Sequence, residues 1–132
     1  MLFRSAAVAA GTPVGVLAYL DGEPVGWCSV APRHTYVALE RYKALPRLDD
    51  VPVWSVVCFF VASRVRRAGV TLGLLRAAVD YARQAGAPAV EGYPVEPGKL
   101  YGYMGSPRTF ERAGFRDVTP PGQTRRVMRI EF

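Results

Sequence analysis

The sequence has few of the residues from which metal centres and covalent nucleophiles are built. Its 132 residues include two cysteines, Cys28 and Cys58, which form no CxxC pair, and one histidine, His34. A structural zinc site takes about four such ligands, so we expect no metal site and no cysteine–histidine nucleophile. Two isolated cysteines indicate reduced, buried thiols in a reducing compartment.

The sequence also lacks a long hydrophobic run. The longest apolar stretch, residues 51–62, is interrupted by Trp54 and Ser55 and is shorter than the roughly 20 residues that cross a bilayer. Residues 6–11 are small, as at a signal-peptide cleavage site, but only three residues precede Arg4. We therefore expect a cytoplasmic protein without membrane insertion, folded as a single domain over residues 1–132.

Acidic residues are outnumbered, and lysine is nearly absent. The formal net charge is +6, and Lys43 and Lys99 are the only lysines among 17 basic residues. Arginine suits bidentate contacts with phosphate, so this balance predicts an anionic ligand. A basic nucleic-acid-binding module would explain the same charge, but the arginines are scattered along the chain instead of following one face with interleaved aromatic residues.

Hydrophobic patterns divide the first half of the chain into strands and one short helix. Residues 14–20 and 25–30 predict a hairpin, since Asp21-Gly22 readily adopts the positive dihedrals of a two-residue turn. Residues 34–45 predict a short helix or an ordered loop that Pro46 ends. Residues 53–61 are apolar on both alternating sets, which predicts a central strand covered on both faces.

The second half predicts a long helix, a strand and a shorter helix with two further strands. One helical face carries Leu75, Ala78, Val79 and Ala82, and Gly86 ends that helix before a strand at 89–95. Ser106-Pro107 supplies an N-cap and a first-turn proline for a helix through 110–113. Residues 115–118 and 126–130 fit two more strands.

The turn between the central strand and the long helix carries the main functional signal. A helix start leaves backbone N–H groups unpaired and carries a partial positive charge, so a pyrophosphate there accepts several hydrogen bonds. Gly69 lets the backbone approach a ligand closely, and Arg66 and Arg67 add positive charge. Taken alone, the segment fits a solvated basic turn with a glycine cap equally well.

Residues 66–71, Arg-Arg-Ala-Gly-Val-Thr, resemble the signature of the GNAT superfamily of acyl-CoA-dependent N-acetyltransferases. That signature is Arg or Gln, two residues, Gly, one residue, then Gly or Ala, so Thr71 departs from it. Leu74-Leu75 match the helix core that follows, and residues 110–115, Phe-Glu-Arg-Ala-Gly-Phe, are similar to the family's terminal helix with its Gly-Phe ending. The resemblance extends from about residue 14 to the C-terminus.

The resemblance implies an α+β fold of the three-layer GNAT type: a mixed, mostly antiparallel twisted sheet with helices on both faces and a central strand-turn-helix acyl-CoA site. It implies direct transfer of an acetyl group from acetyl-CoA to a primary amine of a small-molecule or protein acceptor. Phe59, Phe60 and Val61 would offer backbone groups to the pantetheine arm. The pyrophosphate would lie against the segment Arg66, Arg67, Ala68, Gly69, Val70, Thr71 and Leu72.

The resemblance leaves the catalytic acid and base open, because Phe110 stands where many family members have a tyrosine. Tyr103, just before that helix, is our candidate acid, and a packing or surface aromatic is the alternative. Glu91 is our candidate base, directly or through water, and a strand-surface carboxylate paired with an arginine is the alternative. His34 is a further candidate base over the acceptor pocket, and a surface histidine is the alternative. Burial should raise the thiol pKa of Cys58 and make it inert.

The N-terminus is shorter than the family pattern, which has a strand and one or two helices before the hairpin. Only residues 2–10 are available here, which leaves a sheet edge and a flank of the acceptor cleft uncovered. Three arrangements fit: a homodimer that covers the gap, residues 33–48 folded across as a lid, or a natural chain that starts earlier. Together with Phe110, the short N-terminus also suits a non-catalytic acyl-CoA-binding or sensing domain.

Overall fold

A mixed sheet of seven strands organises the part of the chain that the computed structural model describes, residues 1–7, 13–66, 69–96 and 102–132. In spatial order the strands are β1 (Leu2–Ala7), β2 (Pro13–Leu20), β3 (Glu23–Pro32), β4 (Trp54–Val61), β5 (Ala89–Gly92), β7 (Met128–Glu131) and β6 (Arg116–Asp117). The β4–β5 pair is parallel and the other described pairs are antiparallel. The helices are α1 (Val37–Arg41), α2 (Val70–Gln84) and α3 (Pro107–Arg112), with 3₁₀ turns at Arg33–Thr35, Ser63–Val65 and Gly102–Met104.

The β2–β3 hairpin is confirmed, and its turn has the predicted backbone. Asp21 has φ 52° and Gly22 has φ 82°, the two positive values that a tight two-residue hairpin turn requires. Strand β1 pairs with β2 on the outer side of this hairpin and forms one edge of the sheet. Residues 2–7 therefore extend the sheet by one strand.

Helix α2 covers one face of the sheet with the apolar stripe that the sequence predicts. Leu74, Leu75, Ala78 and Ala82 are fully buried against residues of β2, β3 and β4. The helix is followed by Gly86, whose φ of 94° is accessible to glycine at little cost. Burial of this stripe against the sheet is what holds α2 beside the end of β4.

Helix α3 packs on the same side as α2 and begins at the predicted cap. The Ser106 side chain accepts a hydrogen bond from the Thr109 backbone N–H at 3.4 Å, and Pro107 occupies the first turn. Both features satisfy the sequence prediction for this helix.

A second, smaller core lies on the opposite face of the sheet. It contains Leu39 of α1, together with Leu45, Tyr93, Met104 and Val127. The segment 33–48 thus covers this face, and helices lie on both faces of the sheet, as the predicted fold class requires. Within the described ranges, every helix falls short of the length and hydrophobicity that a bilayer crossing needs.

Candidate active site

The parallel strands β4 and β5 run together for only a short distance. Their pairing covers Trp54–Val56 of β4 and Val90–Gly92 of β5. Beyond that point the chain after β5 turns away, and the Val95 N–H donates to the Gly105 carbonyl at 3.0 Å. The end of β4 therefore pairs with β3 on one side and borders an open cleft on the other.

A β-bulge marks the same place on β4. Ser29 of β3 pairs with Cys58, whereas the next residue, Val30, pairs with Val56, so Val57 is the extra residue. Val56 and Phe59 contribute to the core under α2, while Val57 packs against the opposite core. The bulge thus turns Val57 toward the face of the sheet that α1 covers.

Helix α2 begins at the cleft, and its first backbone N–H groups precede the first helical hydrogen bond. Gly69 is its N-cap, with φ 76° and ψ 15°, and no side chain of the described residues caps this end. The Gly73 N–H donates to the Gly69 carbonyl at 3.1 Å, which leaves the N–H groups of residues 70–72 ahead of the first helical bond. An added Cβ on Gly69 would meet no atom within 4 Å, so the space before the helix is open.

One cleft of about 760 Å³ joins the end of β4 to the start of α2. It is lined by residues 59–61, Arg66, residues 69–72 and Tyr103, together with Val65, Gly105, Thr109 and Arg112. None of these described lining residues is acidic, and Arg66 and Arg112 bring positive charge from two sides. The volume is in the range of ligand pockets, and the charge suits an anionic ligand.

The cleft brings together the predicted cofactor-binding residues that the structure describes. Arg67 and Ala68 lie outside the described residues. The sequence analysis missed Arg112 and Thr109, which belong to α3 and reach the cleft only because α3 packs beside α2. The Ser106 cap predicted where α3 begins. The local sequence does not indicate which face of α3 meets the cleft.

Tyr103 lies between this cleft and a second pocket. Its side chain is half exposed, in the 3₁₀ turn Gly102–Met104, and it lines both spaces. The second pocket, of about 630 Å³, is bounded by α1, by Val57 at the bulge and by Met104. A group on Tyr103 can therefore face ligands in both spaces.

Phe110 is a core residue. It is fully buried and packs edge-on against Phe59, with ring centroids 6.2 Å apart, and against Phe115, at 4.9 Å. Gly92 and Gly105 make room for its ring, since a Cβ on either would lie within 3.0 Å of it. Phe110 therefore anchors α3 to the end of β5 and has no proton to donate.

Glu91 lies in a buried network on the face opposite α2. Its side chain accepts from Arg129 Nε at 2.8 Å and from the Tyr93 hydroxyl at 3.1 Å, and Arg33 is 3.9 Å away. Asp49 holds the other side of Arg129, through a 2.8 Å contact. The arginine pairing given in the alternative for Glu91 is present, but the residue is 1% exposed and so does not lie on the strand surface.

The contacts of the network shift the pKa values of three of its members, Asp49, Arg129 and Tyr93. The pKa of Asp49 is lowered chiefly by its hydrogen bond from Arg129, whose own pKa is raised by the same contact. Burial raises the pKa of Tyr93, and the nearby Glu91 charge raises it further. Tyr93 therefore stays a neutral hydroxyl at physiological pH.

The two other reactive side chains lie away from the cleft. His34 is exposed in the turn Arg33–Thr35 and borders a small polar cavity with Asp49 and Arg129, apart from the pocket beside Tyr103. Burial raises the pKa of the Cys58 thiol, as predicted, and neither Cys58 nor the buried Cys28 forms a disulfide.

Solved structures with the same fold are acetyltransferases. A ribosomal-protein-alanine N-acetyltransferase from Brucella melitensis is 17% identical, with a TM-score of 0.58 over 93% of this chain and 70% of that one. A GCN5-related N-acetyltransferase from Kribbella flavida is 20% identical, with a TM-score of 0.59 over 89% and 66%. An aminoglycoside acetyltransferase in complex with coenzyme A is 24% identical, with a TM-score of 0.59 over 88% and 64%. The chain thus spans about two thirds of the length of these structures.

Sequence comparison supplies the family. No curated protein matches the chain. Residues 3–97 match the model of the Acetyltransferase (GNAT) family, which is well over half of the 132 residues. The predicted family and the predicted fold class are both confirmed. The chain belongs to the GNAT family, a family of acyltransferases that use acetyl-CoA as co-substrate.

Proposed function

We propose that this protein is an N-acetyltransferase that moves an acetyl group from acetyl-CoA directly to a primary amine. The observation that carries the proposal is the single cleft formed by the open end of β4, the uncapped start of α2 and Tyr103. The open end of β4 suits an extended chain with amide groups, and the start of α2 suits a diphosphate. Tyr103 supplies a hydroxyl at the end of the cleft where the transfer would occur.

Acetyl-CoA would lie along the cleft with its two halves on different elements. The pantetheine arm carries amide groups, and it would pair with the backbone of Phe59, Phe60 and Val61, as an added strand pairs with a sheet edge. The pyrophosphate would accept hydrogen bonds from the N–H groups of residues 69–72. Arg66 and Arg112 would add positive charge, and we keep Arg67 and Ala68 in the proposed binding segment from the family resemblance.

The transfer would need no covalent intermediate on the protein. A neutral amine attacks the thioester carbonyl, and a backbone N–H at the β4 bulge would polarise the carbonyl oxygen. As the tetrahedral intermediate collapses, the C–S bond breaks and Tyr103 would give its proton to the leaving thiolate. The support for this role is that Tyr103 lines both the cleft and the second pocket, where the acceptor would bind.

Glu91 takes a different place in the proposal. Both of its oxygens have partners among Arg129 and Tyr93, and the residue is 1% exposed. The carboxylate is enclosed by these partners and is not among the described residues that line the pocket beside Tyr103. We propose that Glu91 positions the floor of the acceptor side, with any contact to the amine made through water.

An acetyl-CoA titration of two variants at the N-cap of α2 tests the proposal. Gly69→Asp adds a negative charge where the diphosphate would bind, and Gly69→Asn is its control of matched size. Both side chains tolerate the positive φ of this position, and a Cβ added there meets no atom within 4 Å. Calorimetry should show saturable binding to the natural protein and to the Asn variant. The Asp variant should bind about 100-fold more weakly, since repulsion at this range reaches about 3 kcal/mol.

Three results would distinguish the proposed enzyme and its cofactor site from the alternatives. Equally tight binding by the Asp variant would place the cofactor elsewhere. No binding to the natural protein would refute the enzyme proposal. Binding without thiol release across a broad amine panel would leave the non-catalytic acyl-CoA-binding domain as the function.

We also propose a cytoplasmic location and a homodimer. Free cysteines at positions 28 and 58 suit a reducing compartment. Strand β1 ends the sheet on one side, and edge strands offer backbone groups to a second chain. Sedimentation at micromolar concentration tests the dimer, and a single monomer boundary would contradict it.

A further inference from the structure

The pocket beside Tyr103 has a lining with a definite chemical character. It is bounded by Tyr36, Leu39, Tyr42, Leu45, Val57 and Met104, all apolar or aromatic side chains. Arg125 is the one charged side chain among the lining residues that the structure describes, and none of those residues is acidic. The opening toward the cleft runs past Tyr103, which lines both spaces.

We propose that the acceptor is a primary monoamine carried on an apolar, chiefly aromatic body, which occupies this pocket with its amine directed toward Tyr103. The inference rests on the proposed acetyl transfer and names the substrate class of that same site. The aromatic body would pack against Tyr36 and Tyr42, where ring contacts add to the burial of apolar area. A polyamine or an aminoglycoside would be a poor acceptor.

Arg125 would exclude from this pocket an acceptor that carries a second cationic group. Its guanidinium donates to the Tyr93 carbonyl at 2.9 Å and lies 5.9 Å from the centre of the Tyr42 ring. These contacts hold a positive charge at the pocket wall. A second ammonium group would have to leave water beside that charge, with no carboxylate to receive it in the described lining.

The same lining explains how an amine could react without a carboxylate base. Desolvation and a nearby positive charge both favour the neutral form of a bound amine, and the neutral form is the nucleophile. Tyr36 adds no negative charge, because burial raises its pKa to about 12 and its hydroxyl lies 2.8 Å from Ser29 Oγ. The surplus proton of the tetrahedral intermediate would leave to solvent through the open side of the pocket, and the thiolate would take the proton of Tyr103.

Matched amines test the substrate class. Hexylamine and 1,6-diaminohexane differ by one ammonium group, and 2-phenylethylamine adds the aromatic body. Thiol release gives kcat/KM for each amine, and calorimetry on the coenzyme A-bound protein gives the affinity. We expect 2-phenylethylamine to exceed hexylamine, and hexylamine to exceed 1,6-diaminohexane by roughly tenfold or more in both measurements.

Two variants show whether the pocket sets this order. Val37→Asp places a carboxylate at the pocket rim, where the natural side chain is 57% exposed, and Leu2→Asp places one on β1, at a side chain that is 49% exposed and outside the pocket. Val37→Asp should narrow or reverse the preference for hexylamine by roughly fivefold. Leu2→Asp should leave it unchanged, and both variants should bind acetyl-CoA as tightly as the natural protein.

The outcomes distinguish this inference from the proposed function. Failure of the natural protein to bind acetyl-CoA would refute the proposed function itself. Normal acetyl-CoA binding with faster transfer to the diamine or to an aminoglycoside would overturn the monoamine inference and leave the enzyme proposal intact. An unchanged preference for hexylamine in the Val37→Asp variant would also overturn the monoamine inference, because the pocket that selects the acceptor would then lie elsewhere.

Discussion

Replacing Gly92 by alanine should disrupt the packing contact that joins β5 to α3. A Cβ built on Gly92 lies 2.0 Å from Phe110 Cε1, 2.4 Å from Cζ and 3.0 Å from Cδ1. Carbon atoms in favourable contact are about 3.5 Å apart, so the ring would have to retreat by about 1.5 Å. Phe110 is fully buried between Phe59 and Phe115, which leaves little room for that movement.

The expected cost follows from two opposing terms. Overpacking a closed core by one methyl group costs about 1–3 kcal/mol, and this clash falls at the upper end because a buried ring is involved. Removing a strand glycine returns about 0.5–1 kcal/mol of backbone entropy. The net destabilisation should be about 2 kcal/mol, or a melting temperature lower by roughly 6–10 °C for a domain of this size.

Urea denaturation with a double-mutant cycle measures this prediction. Phe110→Leu removes the ring that blocks the new methyl group. In that background Gly92→Ala should cost less than about 0.5 kcal/mol, and the difference is the coupling between the two positions. A cost below about 0.5 kcal/mol in the natural background, or a cost unchanged by Phe110→Leu, would refute the packing argument.

Four further substitutions test other parts of the molecule. Tyr103→Phe keeps the ring and removes the proton, so kcat for thiol release should fall by about 100-fold while acetyl-CoA affinity holds; an unchanged kcat would exclude Tyr103 as the acid. Glu91→Gln leaves the buried Arg129 charge partly uncompensated and should lower the urea-derived stability by about 3 kcal/mol, whereas a neutral effect would show that the pair is dispensable. The pKa of Asp49 is lowered in the folded state, so its stabilising effect is present above its unfolded pKa of about 4 and is lost as the pH falls through the folded value. Asp49→Asn should therefore flatten the stability profile below about pH 4, and an identical profile would contradict the Arg129 contact. Ser106→Ala removes the α3 cap and should cost about 1 kcal/mol in the same assay.

Structural features that depend on residues close together in the chain could be predicted from the sequence. The Asp21-Gly22 turn, the apolar stripe of α2 and the Ser106 cap depend on residues within a few positions of one another, and each appears where the pattern predicts it. The predicted bounds of the strands were less accurate, since β5 ends at Gly92 and not at residue 95. The chain leaves the sheet there because Pro94 follows, and proline offers no N–H to a strand ladder.

The candidate site was only partly accessible in the same way. The glycine turn and the helix start predict a diphosphate site from local backbone physics, and the structure places residues 59–61 and 69–72 on one cleft. The arginine partner of Glu91 had no local signal, because Arg129 lies 38 residues away along the chain and is itself held by Asp49, 80 residues from it. The contact between Glu91 and Arg129 exists only after β7 pairs beside β5.

The sequence by itself determined the hairpin, the long amphipathic helix, the basic glycine turn at its start and the family to which these belong. The tertiary structure alone decided that Tyr103 lines two pockets, that Phe110 serves the core, and that the second pocket is lined chiefly by apolar side chains beside Arg125. The physical reason is distance along the chain. Helix caps and turns are set by adjacent residues, whereas a pocket is set by the separation of β4 from β5 and by the segments that pack into the gap.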